Sequence, residues 1–271
     1  MRQIKSRAFI LEKDPQNRDE GRLLMLSEDF GLIWLTASGL FKPGAKLANL
    51  TDPPILVNAE VLLAEDERNG RLTTVSVENF CEHLKQEYRN RIWFSFFVYL
   101  LRNFVAENDS KKYFGLFEKI ILNKNNWLKN SRINFSVISF VSQLLQGEGL
   151  MPDLKNCLAC GKDFSKKDKA FYSLGESGLF CAPCFLRSVA DLDFQKNASF
   201  DYLEFTPLTE SIPRPERNFG VSAEARNLLI EIGGSADPDS CYTKIFLGSK
   251  INKQLILQSR NFLLYLLVSL I

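Results

Sequence analysis

The first 79 residues alternate between short apolar runs and turn-forming residues. Each run spans six to ten residues, and breaks such as Asp14-Pro15 and Asn69-Gly70 separate one run from the next. This pattern predicts five short β-strands. The predicted strands cover residues 7–12, 22–27, 32–37, 55–64 and 71–77.

After residue 77 the spacing of the apolar residues changes to that of a helix. Apolar side chains recur every three or four positions as far as Ala106, which predicts a long helix with Ser76 as its N-cap. The apolar stripe of this helix is Phe80, Leu84, Tyr88, Ile92, Phe96, Tyr99 and Phe104. A second helix is predicted over 110–122, with Phe114, Phe117, Ile120 and Ile121 on one side, and a third over 131–146, closed by Gly147, Gly149 and Pro152. Further helices are predicted over 184–192, from an N-cap at Ser222, over 242–246 and over 252–270. A loop is predicted around Pro207, Pro213 and Pro215.

Together these patterns predict an α+β protein. Five strands in about 75 residues suit a small closed barrel, and a five-stranded Greek-key barrel is the OB-fold architecture. A generic barrel or sandwich without a ligand is the alternative interpretation. The predicted organisation is an OB-fold domain over 1–79 and a helical domain over 80–271, with an inserted cysteine module at about 151–190.

Composition and charge say little about a partner for the whole chain. Hydrophobic residues make up 45% and charged residues 24%, which excludes wholesale disorder, and the net charge is only +2. The distribution is more informative, because residues 1–79 hold 10 basic and 12 acidic side chains (net −2), whereas residues 80–150 hold 10 and 6 (net +4). The positive excess therefore lies in the first helical stretch.

Neither end of the sequence predicts export or membrane insertion. The N-terminal residues lack the uninterrupted apolar run of a signal peptide. Residues 261–271 are nearly all apolar, but a membrane span needs about 20 such residues, so a buried terminal helix is expected. We therefore expect a cytoplasmic protein with no membrane partner, in a compartment where clustered cysteines indicate metal rather than disulfides.

Four cysteines form the strongest motif in the chain. Cys157 and Cys160 make one C-x2-C pair, and after twenty intervening residues Cys181 and Cys184 make a second. This spacing is typical of a tetrahedral zinc site, with Gly161 permitting the first turn and residues 172–180 predicted as the hairpin between the pairs. Four protein ligands leave no position for a catalytic water, which predicts a structural ion.

Other interpretations of the cysteines remain open at this point. A redox C-x-x-C motif normally occurs once, at a helix start in a βαβ unit, and neither pair has that context. The other alternative is that the four cysteines are buried core thiols that lie close together by chance. Cys81 and Cys241 lack partners at ligand spacing and are expected to be buried apolar thiols.

The motifs of common enzymes are missing. His83 is the one histidine, neither G-x-x-x-x-G-K-[ST] nor G-x-G-x-x-G occurs, and the carboxylates are scattered rather than clustered as for Mg²⁺. The sequence therefore favours a binding protein over an enzyme.

Three stretches carry a resemblance to a known family. The first stretch consists of residues 7–11, 21–26 and 30–33. The second is 144–154 (LLQGEGLMPDL) followed by 157–161 (CLACG), and the third is 246–248 with 255–263. In this order they are similar to the bacterial DNA repair family RecO, over nearly the whole chain. The resemblance implies a recombination mediator that binds single- and double-stranded DNA and anneals complementary strands. It also implies work with RecR to help RecA displace the single-stranded DNA-binding protein SSB, whose acidic C-terminal tail the family recognises.

The resemblance also guides the choice of candidate DNA-binding residues. The loop after the third strand carries only two basic residues, so we expect DNA to lie across the barrel rim and continue onto the more basic helical region. Solvated surface charge is the alternative for each residue. The candidates are Arg2, Lys5, Arg7, Lys42, Lys46, Lys85, Arg89, Arg91, Lys111 and Lys112.

Aromatic residues and the helical body complete the hypothesis. Phe9, Trp34 and Phe41 could stack on bases, but aromatics on alternating strands are more often core, so Phe41 is the stacking candidate. The apolar, lightly basic helical body is the expected groove for the SSB tail. Two alternatives from other classes are a zinc-ribbon protein-interaction or transcription-accessory module that does not bind DNA, and a C-x-x-C thiol oxidoreductase without metal.

Overall fold

The computed structural model describes residues 2–16, 20–64, 69–105, 107–173, 176–190, 219–233, 259–260, 262–264 and 266. The chain divides into two compact units, Met1–Lys129 and Asn130–Ile271. Strands and helices are both present, so the predicted α+β class is confirmed. The unit that contains the N-terminal strands also includes the helices that follow them, and the predicted division into 1–79 and 80–271 stays a prediction.

The N-terminal strands form a closed five-stranded barrel with the order β1-β2-β3-β5-β4. Neighbouring strands are antiparallel except β3 and β5, which run parallel, and β4 pairs with β1 to close the sheet. A short helix, α1 (Lys46–Leu50), lies between β3 and β4. The strands are β1 (Arg2–Pro15), β2 (Glu20–Ser27), β3 (Gly31–Ser38), β4 (Ile55–Leu63) and β5 (Asn69–Asn79).

The barrel is packed on its inside and, along β1, on its outside. Alternate residues such as Leu23, Met25 and Leu35 fill the interior. On the outer side, the fully buried Phe9 ring lies 5.2 Å from the ring of Phe117, which belongs to the helix Phe114–Leu122. Burial on both faces explains why the first strand is continuously apolar over residues 8–11 rather than alternating.

The helices of the first unit differ from the predicted ones at their starts. The predicted helix from residue 77 is wrong there, because Ser76 and Val77 belong to β5 and pair with Asn58 and Val57. The Asn79 side-chain oxygen then accepts the Cys81 N–H at 2.9 Å, and Cys81 adopts φ 50, which ends the extended chain. The observed helices are α2 (Glu82–Lys85), α3 (Tyr88–Phe104), α4 (Phe114–Leu122) and α5 (Asn125–Leu128), with a 3₁₀ turn at Glu107–Tyr113 before α4.

The apolar stripe that predicted the long helix is not its buried face. Tyr88, Ile92 and Tyr99 keep 72%, 37% and 45% of their surface exposed, and we call these three residues the α3 stripe. The helix is apolar on two sides, so the 3.6-residue period alone could not identify the side that packs. The buried side consists of Trp93, Phe94, Phe97, Val98, Leu100 and Leu101. The prediction for α4 is confirmed for Phe114, Phe117, Ile120 and Ile121, all of which are buried.

The second unit begins with the helix predicted over 131–146. It spans α6 (Asn130–Gly147) and is followed by a turn at Gly149, whose φ of +69 lets the Leu150 N–H reach the Leu145 carbonyl at 2.7 Å. Ser222 caps the helix that begins at Ala223, as predicted, because its Oγ accepts the Ala225 N–H at 3.1 Å. The remaining elements are β6 (Ala170–Ser173), β7 (Gly178–Phe180), α7 (Ala182–Ala190), β8 (Phe219–Val221) and α8 (Ala223–Gly233).

Strands β6 and β7 form the predicted hairpin, and β8 adds to the other edge of β6. The three-residue strand β8 is too short to leave a period in the sequence and was not predicted. The predicted proline-containing loop, the helix over 242–246 and most of the helix over 252–270 lie outside the described residues. Among the helices that the structure describes, none is long and apolar enough to cross a membrane.

We expect His83 to make the first unit sensitive to mild acid. Its Nε2–H donates to the Ile121 carbonyl at 2.9 Å, while the buried Nδ1 has no hydrogen-bond partner in the described part of the chain. Burial lowers the pKa of His83, assisted by the charge of Lys124 and opposed by the Ile121 hydrogen bond. The native state therefore binds the proton more weakly than the unfolded chain does, so stability is lost as pH falls from the ordinary histidine pKa through the lowered one.

We expect the thermal unfolding midpoint to fall between about pH 7.5 and about pH 5.5, before the carboxylates titrate. The measurement is thermal unfolding followed by circular dichroism across this range, with the His83→Gln variant as control. Glutamine retains a side-chain donor but does not titrate, so its midpoint should change less. An equal fall in both proteins would assign the acid sensitivity to other groups.

Candidate functional site

The four predicted metal ligands converge in the second unit. The Sγ atoms of Cys157, Cys160, Cys181 and Cys184 all lie within 4.8 Å of one another, and Cys160 and Cys181 are 3.8 Å apart. Zinc–sulfur bonds of about 2.3 Å in a regular tetrahedron place the sulfurs about 3.8 Å apart. The cluster therefore has the size that a four-thiolate metal site requires.

Backbone hydrogen bonds build the first cysteine turn. The Gly161 N–H donates to the Cys157 carbonyl and the Cys157 N–H to the Lys162 carbonyl, both at 2.9 Å. Gly161 adopts φ +67, which a residue with a side chain rarely does, so the predicted role of this glycine in the turn is supported. The Leu158 N–H donates to the Leu179 carbonyl at 2.7 Å and thereby joins this turn to β7.

The second pair is positioned by the hairpin and by α7. Cys181 directly follows β7, and Cys184 lies in the first turn of α7. The Cys181 N–H donates to the Sγ of Cys157 at 3.3 Å, a contact that links the two pairs. The rings of Phe171 and Phe185 stack 4.7 Å apart beside the three buried cysteines, whereas Cys160 is exposed.

The electrostatics of the cluster favour a bound cation. Burial raises the pKa of the Cys157 thiol, but hydrogen bonds from the backbone N–H groups of Cys181, Cys160 and Ala159 outweigh it and lower that pKa to about 6. The Cys184 pKa is raised to about 12, first by the hydrogen bond with Cys181 and then by burial and the other sulfurs. Four thiolates at this separation repel one another, so a metal ion among them is what allows all four to be ionised.

Arg187 places a positive charge next to the sulfurs. Its Nη2 donates to the Sγ of Cys184 at 3.5 Å, and its Nε donates to the Pro183 carbonyl at 3.3 Å. A divalent ion with four thiolates carries a net charge of about −2, which the guanidinium partly offsets. The donor set, the spacing and the neighbouring cation all fit a divalent metal ion with an affinity for sulfur.

The loop between the two cysteine pairs is held by α8. The side chain of Arg226, only 1% exposed, donates from Nη1 to the Asp168 carbonyl at 3.0 Å and from Nη2 to the Ser165 carbonyl. Its guanidinium also lies 4.7 Å from the centre of the Phe164 ring. Sequence reasoning did not find Arg226, because one arginine on an amphipathic helix resembles any surface cation.

Several of the predicted DNA-binding cations on the barrel are paired with carboxylates. Arg7 donates to both oxygens of Glu78 at 2.9 and 3.1 Å and also contacts Glu118 and Glu28. The hydrogen bonds with Glu78 and Glu118 raise the pKa of Arg7. Lys5 pairs with Glu60 at 2.5 Å. The pairing assigns Arg7 a structural role in joining β1 to α4 and leaves its predicted role in DNA binding untested. Arg2, Lys42 and Lys46 are exposed.

Two of the predicted cations in the helical stretch connect elements of the first unit. The Nζ of Lys85 donates to the Asp52 carbonyl at 3.0 Å, and the Nη2 of Arg89 donates to the Trp127 carbonyl at 2.7 Å. Arg91, Lys111 and Lys112 are exposed, and the guanidinium of Arg91 lies 6.0 Å from the Tyr88 ring. Their roles in nucleic-acid binding stay predictions.

The three aromatic candidates have different surroundings. Phe9 belongs to the core, packed against Phe114 and Phe117. Phe41 is 40% exposed in the loop after β3, with the Lys13 Nζ 5.1 Å from its ring centre. Trp34 lies half-buried on β3, where the guanidinium of Arg22 is 4.4 Å from its ring centre.

The chain matches no protein-family model and none of the curated proteins with which it was compared.

Proposed function

We propose that this protein is a non-enzymatic DNA-binding recombination mediator of the kind that the RecO resemblance implies. In this proposal it binds single- and double-stranded DNA, anneals complementary strands and, with RecR, helps to load RecA onto DNA coated by SSB. RecA is then an indirect partner, reached through the removal of SSB. The proposed location is the cytoplasm.

The observation that carries the proposal is the order and kind of the parts. A closed five-stranded barrel with one parallel pair, β3–β5, comes first, followed by helices and then by four convergent cysteines. We interpret the barrel as an OB-fold, an architecture that binds oligonucleotides on the face of its second and third strands and in adjacent loops. In the proposal the barrel holds DNA and RecR.

The metal in this proposal is a structural zinc ion. Cys157, Cys160, Cys181 and Cys184 would hold it, and when bound it would fix the two turns and the hairpin that carry them. All four ligands come from the protein, so the ion has a stabilising role in the proposal and no role in a reaction.

The α3 stripe is the proposed docking site for the SSB tail. An acidic peptide that ends in apolar residues needs an apolar surface beside a cation. Tyr88, Ile92 and Tyr99 provide the exposed apolar surface, and Arg91 lies beside Tyr88. Apolar contacts at Ile92 and Tyr99 together with a charge contact at Arg91 match that chemistry.

The experiment that tests the proposal measures two kinds of binding by fluorescence anisotropy across a salt series. The probes are a single-stranded oligonucleotide and a peptide with the sequence of the SSB tail. DNA binding with a steep salt dependence supports the mediator, because released counterions give a slope proportional to the phosphates contacted. If the peptide binds and the DNA does not, the protein is an adaptor that needs RecR to bind DNA. If neither probe binds, the result favours the zinc-ribbon interaction module.

A double charge reversal separates the barrel from the helices as the DNA-binding region. Arg91→Glu with Lys111→Glu changes two exposed cations, one on α3 and one on the 3₁₀ turn. If DNA crosses the helical stretch, affinity falls and the salt slope shrinks by about two, one per lost phosphate contact. Lys155→Glu with Lys162→Glu, two exposed cations of the second unit, is the matched control. An unchanged slope in the first variant would remove the helical stretch from the interface.

A further inference from the structure

One outer surface of the barrel carries an indole ring with two arginines beside it and a third arginine on the neighbouring strand. Arg22 on β2, Trp34 on β3 and Arg71 on β5 occupy strands that are neighbours in the barrel, and Arg102 on α3 joins them. The residues between them in sequence, such as Leu23 and Leu35, point into the interior, so the alternation places these side chains outside. We call Arg22, Trp34, Arg71 and Arg102 the Trp34 surface.

The contacts within this surface hold a cation against the ring. The guanidinium carbon of Arg22 lies 4.4 Å from the centre of the Trp34 ring, and that of Arg102 lies 5.8 Å from it. Arg71 is oriented by a hydrogen bond of 2.8 Å from its Nη2 to the Ser38 hydroxyl. Its register partner on β3 is the exposed Thr36. Aromatic, cationic and hydroxyl groups therefore alternate across three adjacent strands.

Carboxylates orient two of these arginines without using all of their donors. Arg22 pairs with Asp14 at 3.3 Å, and the Nη1 of Arg102 donates to both oxygens of Glu12 at 3.0 and 2.9 Å. A guanidinium has five N–H donors, and a single carboxylate engages only some of them. These pairs fix the guanidinium planes, as a surface that receives a planar ligand requires.

Trp34 differs from the other tryptophans in exposure and in neighbours. Trp93 and Trp127 are buried and have aromatic rings as neighbours, whereas Trp34 is half-buried and has two guanidinium groups beside it. A large apolar ring in such a position gains from burial against a flat ligand that also carries negative charge. Nucleic acid bases with their phosphates have that combination of properties.

We infer that the Trp34 surface binds single-stranded nucleic acid, with an unstacked base lying on the Trp34–Arg22 stack and phosphates meeting Arg71 and Arg102. The inference rests on the proposed function and assigns it a subsite formed mainly by residues outside the predicted set. A base inside a duplex keeps its faces covered by its neighbours, so this stacking contact selects single strands. Double-stranded DNA would bind elsewhere, through phosphates alone.

The test combines affinity with the fluorescence of Trp34. The probe is an oligothymidylate of about 15 nucleotides, with a duplex of the same length for comparison. Trp34→Ala should weaken single-strand binding at least about fivefold, as expected for the loss of one stacked base, and leave duplex binding unchanged. Phe80→Ala, which removes another exposed aromatic ring of the same unit, is the control and should bind both probes as the unmodified chain does.

A second variant keeps the test valid if Trp34→Ala unfolds the barrel. Trp34→Phe retains a ring for stacking but removes the reporter, so it should keep most of the affinity and lose the fluorescence quenching that DNA causes in the unmodified chain. Arg71→Gln should reduce the salt slope by about one. Unchanged single-strand affinity in Trp34→Ala, together with no fluorescence quenching by DNA in the unmodified chain, would overturn this inference and leave the proposed function standing. Failure of the unmodified chain to bind any DNA would overturn both.

Discussion

Replacing Cys181 with serine is expected to abolish metal binding at the four-cysteine cluster and to unfold the cysteine module of the second unit. The Cys181 Sγ lies 3.8 Å from that of Cys160 in the other pair, so loss of this sulfur affects both pairs. A serine hydroxyl is a poor zinc ligand, and the energy of metal binding is also folding energy, on the order of 10 kcal/mol in isolated zinc fingers.

The measurements are metal content by mass spectrometry and unfolding followed by circular dichroism. The unmodified chain should contain about one zinc ion, and Cys181→Ser about none, with an earlier and broader unfolding transition. Cys81→Ala is the matched control, since Cys81 is an equally buried thiol in the other unit. It should keep the metal. A metal-free unmodified chain with reactive thiols would instead support the oxidoreductase alternative.

The cysteine site could be predicted from the sequence because its chemistry is local. Two C-x2-C turns and a glycine at position 161 specify ligand geometry within a few residues, so spacing alone identified all four residues that the structure brings together. The hairpin and the Ser222 cap are also local, and the structure confirms both. The identity of the metal stays a prediction, because sulfur ligands at this spacing suit more than one ion.

The features that sequence reasoning missed depend on partners distant in the chain. Which side of α3 packs depends on what covers the barrel, and the α3 stripe has the same period as the buried side. The ion pairs of Arg7 were not predicted, because Glu78 and Glu118 reach it from 71 and 111 residues away. Trp34 resembled a core residue of an alternating strand until Arg22 and Arg102 were placed beside it.

Removal of the buried Arg226 side chain is expected to have the next largest effect on stability. Its two hydrogen bonds satisfy the carbonyls of Ser165 and Asp168, and burial lowers its pKa while the Asp168 charge raises it. Arg226→Met fills a similar volume without donors, so both carbonyls lose their charged partner. We expect a loss of about 2–4 kcal/mol in the free energy of unfolding, measured by chemical denaturation. Asn227→Ala removes one partly exposed bond to the Lys166 carbonyl and should cost about 1 kcal/mol or less.

Arg226→Met and Arg226→Lys together distinguish a hydrogen-bonding role of Arg226 from a packing role. The loop that Arg226 holds lies between the two cysteine pairs, so loosening it should also speed zinc transfer to a chelating dye. If Arg226 mainly fills space beside Phe164, the methionine variant would match the unmodified chain in both stability and zinc release. Arg226→Lys keeps the positive charge but lacks the planar guanidinium that donates to two carbonyls at once. Partial recovery of stability in this variant would assign the remaining loss of stability to that bidentate geometry.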